Sequence, residues 1–347
     1  MPAQTVKSAI NQSATERTSF IATLSDTTSS DHTIGRAASR PISRITSRPI
    51  SQPINHTANQ STMHAAHQLE TPTASRFTIR ACVIHAMTIP FTVQIATTTA
   101  DKADLLLAEV TPQITKHLHD VERRFSPFRA DSLVSKARQG DWTALPTEPD
   151  FAEVYALCQQ AKRLTEDAFN PMHAGAYDPT GLVKGWAIQR AYEQFLQPLL
   201  HDGRCEAAAI SGGGDIQTGV RSNSDFKWRI GVENPLFASN KPHNAAAYSS
   251  GVSLATSTLR TITLHNGAIA TSGTHKRGEH ITRTDHSLAQ ATIVADQLIF
   301  ADMWATTAIS VGETRLRALI ERANGFNGMD HIMAVLVRTD YSIAELP

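Results

Sequence analysis

Four short stretches of the chain collect residue types that handle phosphate and divalent cations. The first is Asp178-Pro179-Thr180-Gly181-Leu182-Val183-Lys184-Gly185-Trp186-Ala187, a turn running straight into a helix. A helix N-terminus presents free N–H groups and a partial positive charge, and Lys184 adds a full one. The second is Ser211-Gly212-Gly213-Gly214-Asp215-Ile216, where glycines after an apolar run let backbone approach a ligand closely. In the third, Ala301-Asp302-Met303-Trp304-Ala305-Thr306, Asp302 and Thr306 stand four apart, so their oxygens share one helix face. A carboxylate and a hydroxyl one turn apart suit magnesium, a hard cation that takes few protein carboxylates. The fourth runs from Ala270-Thr271-Ser272-Gly273-Thr274 to His280-Ile281 and clusters hydroxyls, a glycine and cations, with His280 as a candidate base. Each stretch taken alone also has an ordinary reading. These are a capped helix with a solvated lysine, a hairpin turn, an incidental Asp/Thr pair and an exposed histidine.

Two familiar nucleotide loops are absent from the sequence. No Gly-x-Gly-x-x-Gly follows a strand, and there is no Gly-x4-Gly-Lys-Ser/Thr. A dinucleotide bound here is therefore not bound in Rossmann or P-loop fashion.

The elements that must position these residues read as follows. Phe77–Cys82 and Ile89–Ile95 alternate as strands, with a break at Pro90. Leu107, Val110, Ile114, Leu118, Val121 and Phe125 form one apolar helical stripe, and Pro112 predicts a kink or a late start. A second helix opens at Asp150 as cap, with Glu153 in the capping-box position. A third covers about 184–200. The second half is strand-rich: 207–210, the alternation Phe226, Trp228, Ile230, Val232, then 261–264, 291–294 and 332–337. Helices over 300–311 and 313–324 meet at Gly312, and Gly325 stops the second. Adjacent strands with separate helices predict an α+β fold with largely antiparallel sheet.

Composition removes several classes. Lys plus Arg equals Asp plus Glu at 32 each, so no basic field argues for nucleic acid or an anionic membrane surface. No apolar run approaches the length of a membrane span, and the N-terminus lacks the layout of a secretory signal. Three well-separated cysteines, Cys82, Cys158 and Cys205, fit neither a disulfide framework nor a zinc site and read as buried thiols in a reducing, cytoplasmic compartment. Residues 1–75 are polar, contain only four acidic side chains and repeat Arg-Pro-Ile-Ser at 40–43 and 48–51, a composition too poor in apolar surface to order itself. A disordered tail, an organelle-targeting segment and an over-extended gene start with initiation at Met63 all remain open. The folded domain is expected over 76–347.

In their order and spacing, the stretches resemble the FAD:protein FMN transferases, the ApbE-type flavin transferases, in their short form. Matching residues run from Ala86-Met87 through Arg124-Phe125-Ser126-Pro127-Phe128-Arg129, Asp131-Ser132, Phe169-Asn170-Pro171, Asp178–Ala187, Gly213–Ile216 and Trp228–Val232 to Ala270–Gly273, His280-Ile281 and Ala301–Thr306. The resemblance implies an ApbE-like (T-fold-like) two-layer architecture with FAD in a cleft. Met87, Phe128, Ala168, Phe169, Asn170, Asp178, Lys184 and Ile281 would line that cleft, with Thr271, Ser272 and Gly273 beside the diphosphate. Asp302 and Thr306, with the carbonyls of Gly181 and Ala305, would hold magnesium. Lys184 and His280 would carry the catalytic charge and the proton. The implied reaction moves FMN from FAD onto a Ser/Thr hydroxyl of an acceptor flavoprotein bearing Asp-x-x-Ser/Thr-Gly-Ala-Ser/Thr and releases AMP. The alternatives are a magnesium-dependent FAD hydrolase and a non-enzymatic flavin binder. The chain departs from the family at Thr282-Arg283-Thr284-Asp285-His286, where a proline-glycine turn is usual, at Met87-Thr88-Ile89, and at Asn170 in place of aspartate.

Overall fold

A computed structural model describes residues 76–172, 175–235, 257–274, 283–323 and 331–347, all within the compact unit Ala65–Pro347. The boundary expected at residue 75, and His280, Ile281 and Gly325, lie outside the described residues.

Eight strands form one sheet: β1 (Thr78–Ala86), β2 (Ile89–Thr97), β3 (Ala207–Gly212), β4 (Asp215–Val220), β7 (Gly267–Gly273), β8 (Leu288–Ala295), β9 (Met333–Arg338) and β10 (Ile343–Leu346), hydrogen-bonded in that order. Every neighbouring pair is antiparallel, as expected for an α+β chain of hairpins. Among the described residues, the remaining strands, β5 (Trp228–Glu233) and β6 (Thr258–Leu264), pair with each other alone. The sheet has an internal repeat of topology. β1 and β2 lead through helices to β3 and β4, and β7 and β8 lead through one long helix to β9 and β10. The two halves join where β4 pairs with β7.

The helices are α1 (Ala100–Phe125), α2 (Leu133–Arg138), α3 (Pro149–Leu164), α4 (Thr180–Ala191), α5 (Gln197–His201) and α6 (Leu298–Ala323), with a single π-helical turn at Tyr192–Leu196. The apolar stripe of α1, from Leu107 to Phe125, is buried as its spacing requires. Pro112 neither delays nor ends α1, which is helical from Ala100. Beside it, the hydroxyls of Thr111 and Thr115 bond the carbonyls of Leu107 and Thr111 at 2.6 and 2.7 Å. The cap expected of Asp150 is also corrected. α3 begins at Pro149, whose fixed φ suits a first helical position, and Asp150 pairs instead with Arg124 at 2.7 Å. Gly312 does interrupt the last helix as anticipated: its φ of 75° breaks α6 there, and the Asp285 carboxyl fills the space a side chain would take.

Strand alternation divides the sheet residues between two cores. Ala207, Ala209, Ile216, Ile269 and Val294 face the β5–β6 pair and pack on Trp228, Ile230, Val232 and Phe226, all fully or nearly fully buried. The Trp228 indole N–H donates to the Gly219 carbonyl at 3.1 Å, so this large ring is buried with its polar atom satisfied. Residues of the opposite register, including Ala208, Ile210, Asp215 and Gln217, face the helices. On that side, α4 and α6 run against each other and against the strands at the β4–β7 junction. Two side chains lock the start of α6 in place. Gln217 accepts the Leu298 N–H at 3.0 Å, and Gln189 of α4 accepts that of Ile299 at 3.1 Å, so two of the helix's orphan donors are satisfied. The β5–β6 pair packs on the face of the sheet opposite the helices.

Candidate active site

The candidate site lies at the junction of the two halves and is built from α4, α6, β4 and β7. Lys184 sits one turn into α4, on the face turned to α6. Gly185 follows it, and a Cβ there would come within 3.1 Å of Asp302 Cβ and 3.2 Å of the Leu298 carbonyl, so a glycine is needed for the helices to approach. The Gly185 N–H donates to Asp302 Oδ2 at 3.2 Å. Lys184 Nζ lies 3.6 Å from Asp302 Oδ1 and 2.5 Å from Asp215 Oδ2. Both carboxyls are buried, and Lys184 is 15% exposed. Two buried acidic groups thus share one mostly buried ammonium. Burial first, and the Asp215 charge second, push the Asp302 carboxyl up to about 7, against the opposing pull of Lys184.

Asp215 opens β4 directly after Gly213 and Gly214, whose φ values of 62° and 100° make the left-handed hairpin turn that glycine permits. Its Oδ1 accepts the Thr271 N–H at 3.2 Å. β7 is a strand, to which the sequence assigned no element, and its alternation sorts the three residues expected beside the diphosphate. The Ser272 hydroxyl points to the helix face and meets the Thr306 hydroxyl at 3.5 Å. The Thr271 side chain points the other way and bonds the Thr292 hydroxyl at 2.9 Å, so Thr271 offers this site its backbone and not its hydroxyl. Gly273 ends the strand, half-buried.

The remaining candidates are placed more widely. Asp178 bonds Arg138 at 2.6 Å, and its Oδ1 accepts both the N–H and the hydroxyl of Thr180, at 3.0 and 2.6 Å. Its carboxylate is thus engaged in starting α4. Arg138 also donates to the Tyr177 carbonyl at 2.8 Å and to the Pro127 carbonyl at 3.5 Å, tying the Phe128 loop to the start of α4. Phe128 is 94% exposed, and Met87, with φ of 50°, occupies the tight β1–β2 turn. The Ala168–Asn170 stretch follows α3, with the Phe169 ring 3.2 Å from where a Gly181 Cβ would be and the Asn170 side chain accepting the Met172 N–H at 2.9 Å. Gly181 is in the first turn of α4 and Ala305 in the buried middle of α6, so both carbonyls run along a helix axis toward the next turn. Among the described residues, no group of three or more His, Cys, Asp or Glu side chains is placed to hold a metal ion.

Asp215 and Arg138 are the residues whose part the sequence reading missed. Asp215 had a signal, since it follows three glycines at a strand end. Arg138 had none, because its partners lie about 40 residues downstream. The described part of the departing segment, 283–286, is docked on α6: the N–H groups of Thr284 and Asp285 both donate to the Ser310 carbonyl, at 2.8 and 3.2 Å.

Comparison with known proteins points to one family. The ApbE family model matches residues 87–180 and 173–329. The chain belongs to the ApbE family. Flavin transferase ApbE from Vibrio cholerae is 17% identical, with a TM-score of 0.55 over 78% of this chain and 97% of that one. The ApbE protein of Thermotoga maritima is 17% identical, with a TM-score of 0.57 over 77% and 96%. Pseudomonas stutzeri flavinyl transferase ApbE, in its apo form, is 16% identical, with a TM-score of 0.53 over 79% and 96%. No curated protein matches the sequence.

Proposed function

We propose that this chain transfers the FMN half of FAD to a Ser or Thr hydroxyl of an acceptor protein and releases AMP, with a magnesium ion at Asp302 and Thr306. The observation that carries this reading is the buried unit of Lys184, Asp215 and Asp302 beside the Ser272 and Thr306 hydroxyls. The carboxyl and hydroxyl oxygens gathered there are the hard donors that magnesium prefers. Family membership and the similarity to proteins named as flavin transferases support the same reaction class.

In the reaction, the acceptor oxygen attacks the FMN phosphorus. A new P–O ester bond forms, the anhydride P–O bond breaks, and its electron pair leaves on AMP. The hydroxyl proton passes to a base, for which His280 is the candidate from sequence. Bound magnesium supplies charge neutralisation to the diphosphate. The residues of the chain position and stabilise: the Lys184 ammonium faces the developing phosphate charge, and the rigid α4–α6 contact at Gly185 holds it in place. Three free cysteines accord with a reducing compartment, and the cytoplasm is part of the proposal.

Incubation of the full chain with FAD, magnesium and a peptide carrying Asp-x-x-Ser-Gly-Ala-Thr, read by intact mass and AMP release, tests the reading. One FMN ester per peptide with matching AMP is the expected result. AMP and free FMN without modified peptide would instead establish a hydrolase, and bound but unchanged FAD a flavin carrier.

A further inference from the structure

Asp215 has no role in the reaction as proposed, yet it is the most completely buried charged group of the site. Oδ1 accepts the Thr271 N–H at 3.2 Å, and Oδ2 forms an ion pair with the Lys184 ammonium at 2.5 Å. Lys184 is closer to Asp215 than to Asp302, at 2.5 against 3.6 Å. A lysine is a mobile point charge on a flexible stem, and between two carboxylates it settles where the field is deepest. Were Asp215 neutral, the Asp302 carboxyl 3.6 Å away would draw the ammonium, and that is the carboxyl that a cation would need.

We infer that Asp215 is a positioning residue: it draws the Lys184 ammonium toward the β4–β7 junction, leaving Asp302 open to a cation, and holds the Thr271–Gly273 backbone at a fixed distance from that charge. Because β4 and β7 belong to different halves of the sheet, this one carboxylate sets the register of the site across the joint. The inference rests on the flavin-transfer reading for the identity of the phosphate and cation, but the placement of Lys184 by Asp215 does not.

The test compares the full chain with its Asp215→Asn variant, which keeps the size of the side chain and an acceptor for Thr271 N–H. Without ligand, reductive methylation by formaldehyde is followed at Lys184 by peptide mass spectrometry. Compared in an Asp302→Asn background, where Asp302 cannot take over the ammonium, Lys184 should react at least about 10-fold faster once Asp215 is also asparagine, with other lysines unchanged, since losing a close buried counter-charge lowers a lysine pKa by about a unit or more. An unchanged Lys184 rate overturns the inference. FAD affinity is then measured with magnesium present for the wild type, Asp215→Asn, Lys184→Ala and the double variant. Asp215→Asn should weaken FAD about 10-fold when Lys184 is present and leave it unchanged in Lys184→Ala, as groups acting through one another are non-additive. Equal losses in both backgrounds overturn the inference and make Asp215 merely structural. Failure of the wild type to bind FAD would sink the flavin-transfer reading, and the methylation rates would still decide the part of Asp215. If Asp215→Asn does not fold, Asp215→Asn with Lys184→Met, which replaces the pair by neutral groups, should recover the wild-type melting temperature. A double variant that also fails to fold overturns the pairing.

Discussion

Replacing Asp302 by asparagine should stabilise the protein in the absence of ligand while destroying its magnesium-dependent turnover. The carboxyl is 3% exposed, and its pKa in the folded chain is raised from 3.8 to about 7, chiefly by burial and then by the charge of Asp215. An acid whose folded pKa lies above its unfolded one binds its proton more tightly when native. Its penalty is absent at a pH below 3.8, grows as pH rises through the interval, and is complete above about 7. A gap of that size corresponds to roughly 4 kcal/mol. Asparagine keeps an acceptor for the Gly185 N–H and leaves Lys184 its nearer partner Asp215, so the substitution removes the penalty without orphaning either group. Thermal melts in chelator at pH 5 and pH 8 should show the variant gaining on the wild type by roughly 5–10 °C between the two, as 1 kcal/mol shifts a domain of this size by about 2–4 °C. With FAD and magnesium, AMP release should fall at least about 100-fold, the effect of losing one electrostatic contact in a transition state. A stability difference that does not grow from pH 5 to pH 8 would refute the burial reasoning, and retained turnover would refute the cation assignment.

Three further substitutions probe the same frame. Lys184→Ala should weaken FAD binding about 10-fold and slow AMP release more than that; unchanged values by fluorescence titration and kinetics would remove Lys184 from the site. Gly185→Ala pushes a methyl against Asp302 and the Leu298 carbonyl, and should cost about 100-fold in turnover, as a displacement near 1 Å does, while circular dichroism stays native. Gly312→Ala would place a side chain on the Asp285 carboxyl at a φ of 75°, and should destabilise by at least about 2 kcal/mol in urea unfolding; a smaller effect would mean that the 283–286 segment yields freely.

Local pattern carried much of this molecule. The stripe from Leu107 to Phe125, the alternation of Phe226 to Val232 and the break at Gly312 were legible because each obeys a period or a stereochemical demand that holds within one element. The Asp302/Thr306 spacing and the Lys184 turn were legible for the same reason. What one-dimensional pattern misses is pairing across the chain. β4 was open to reading as a turn and β7 was assigned no element, since Gly213–Ile216 and Ala268–Gly273 are short and rich in small or polar residues. They become central strands only because β3 and β8 offer partners. That pairing decides which side of β7 faces the helices, and so sends Ser272 toward Thr306 and Thr271 away from it. It also brings Asp215, 31 residues beyond Lys184 and 87 before Asp302 in the chain, within reach of the ammonium between them. The sequence by itself determined the elements, the family pattern and the residue types able to meet phosphate and cation. Only the tertiary structure decided that a buried lysine shares two carboxylates at the joint of two half-sheets, because the field at a side chain depends on charges brought near by folding and not on its neighbours in sequence.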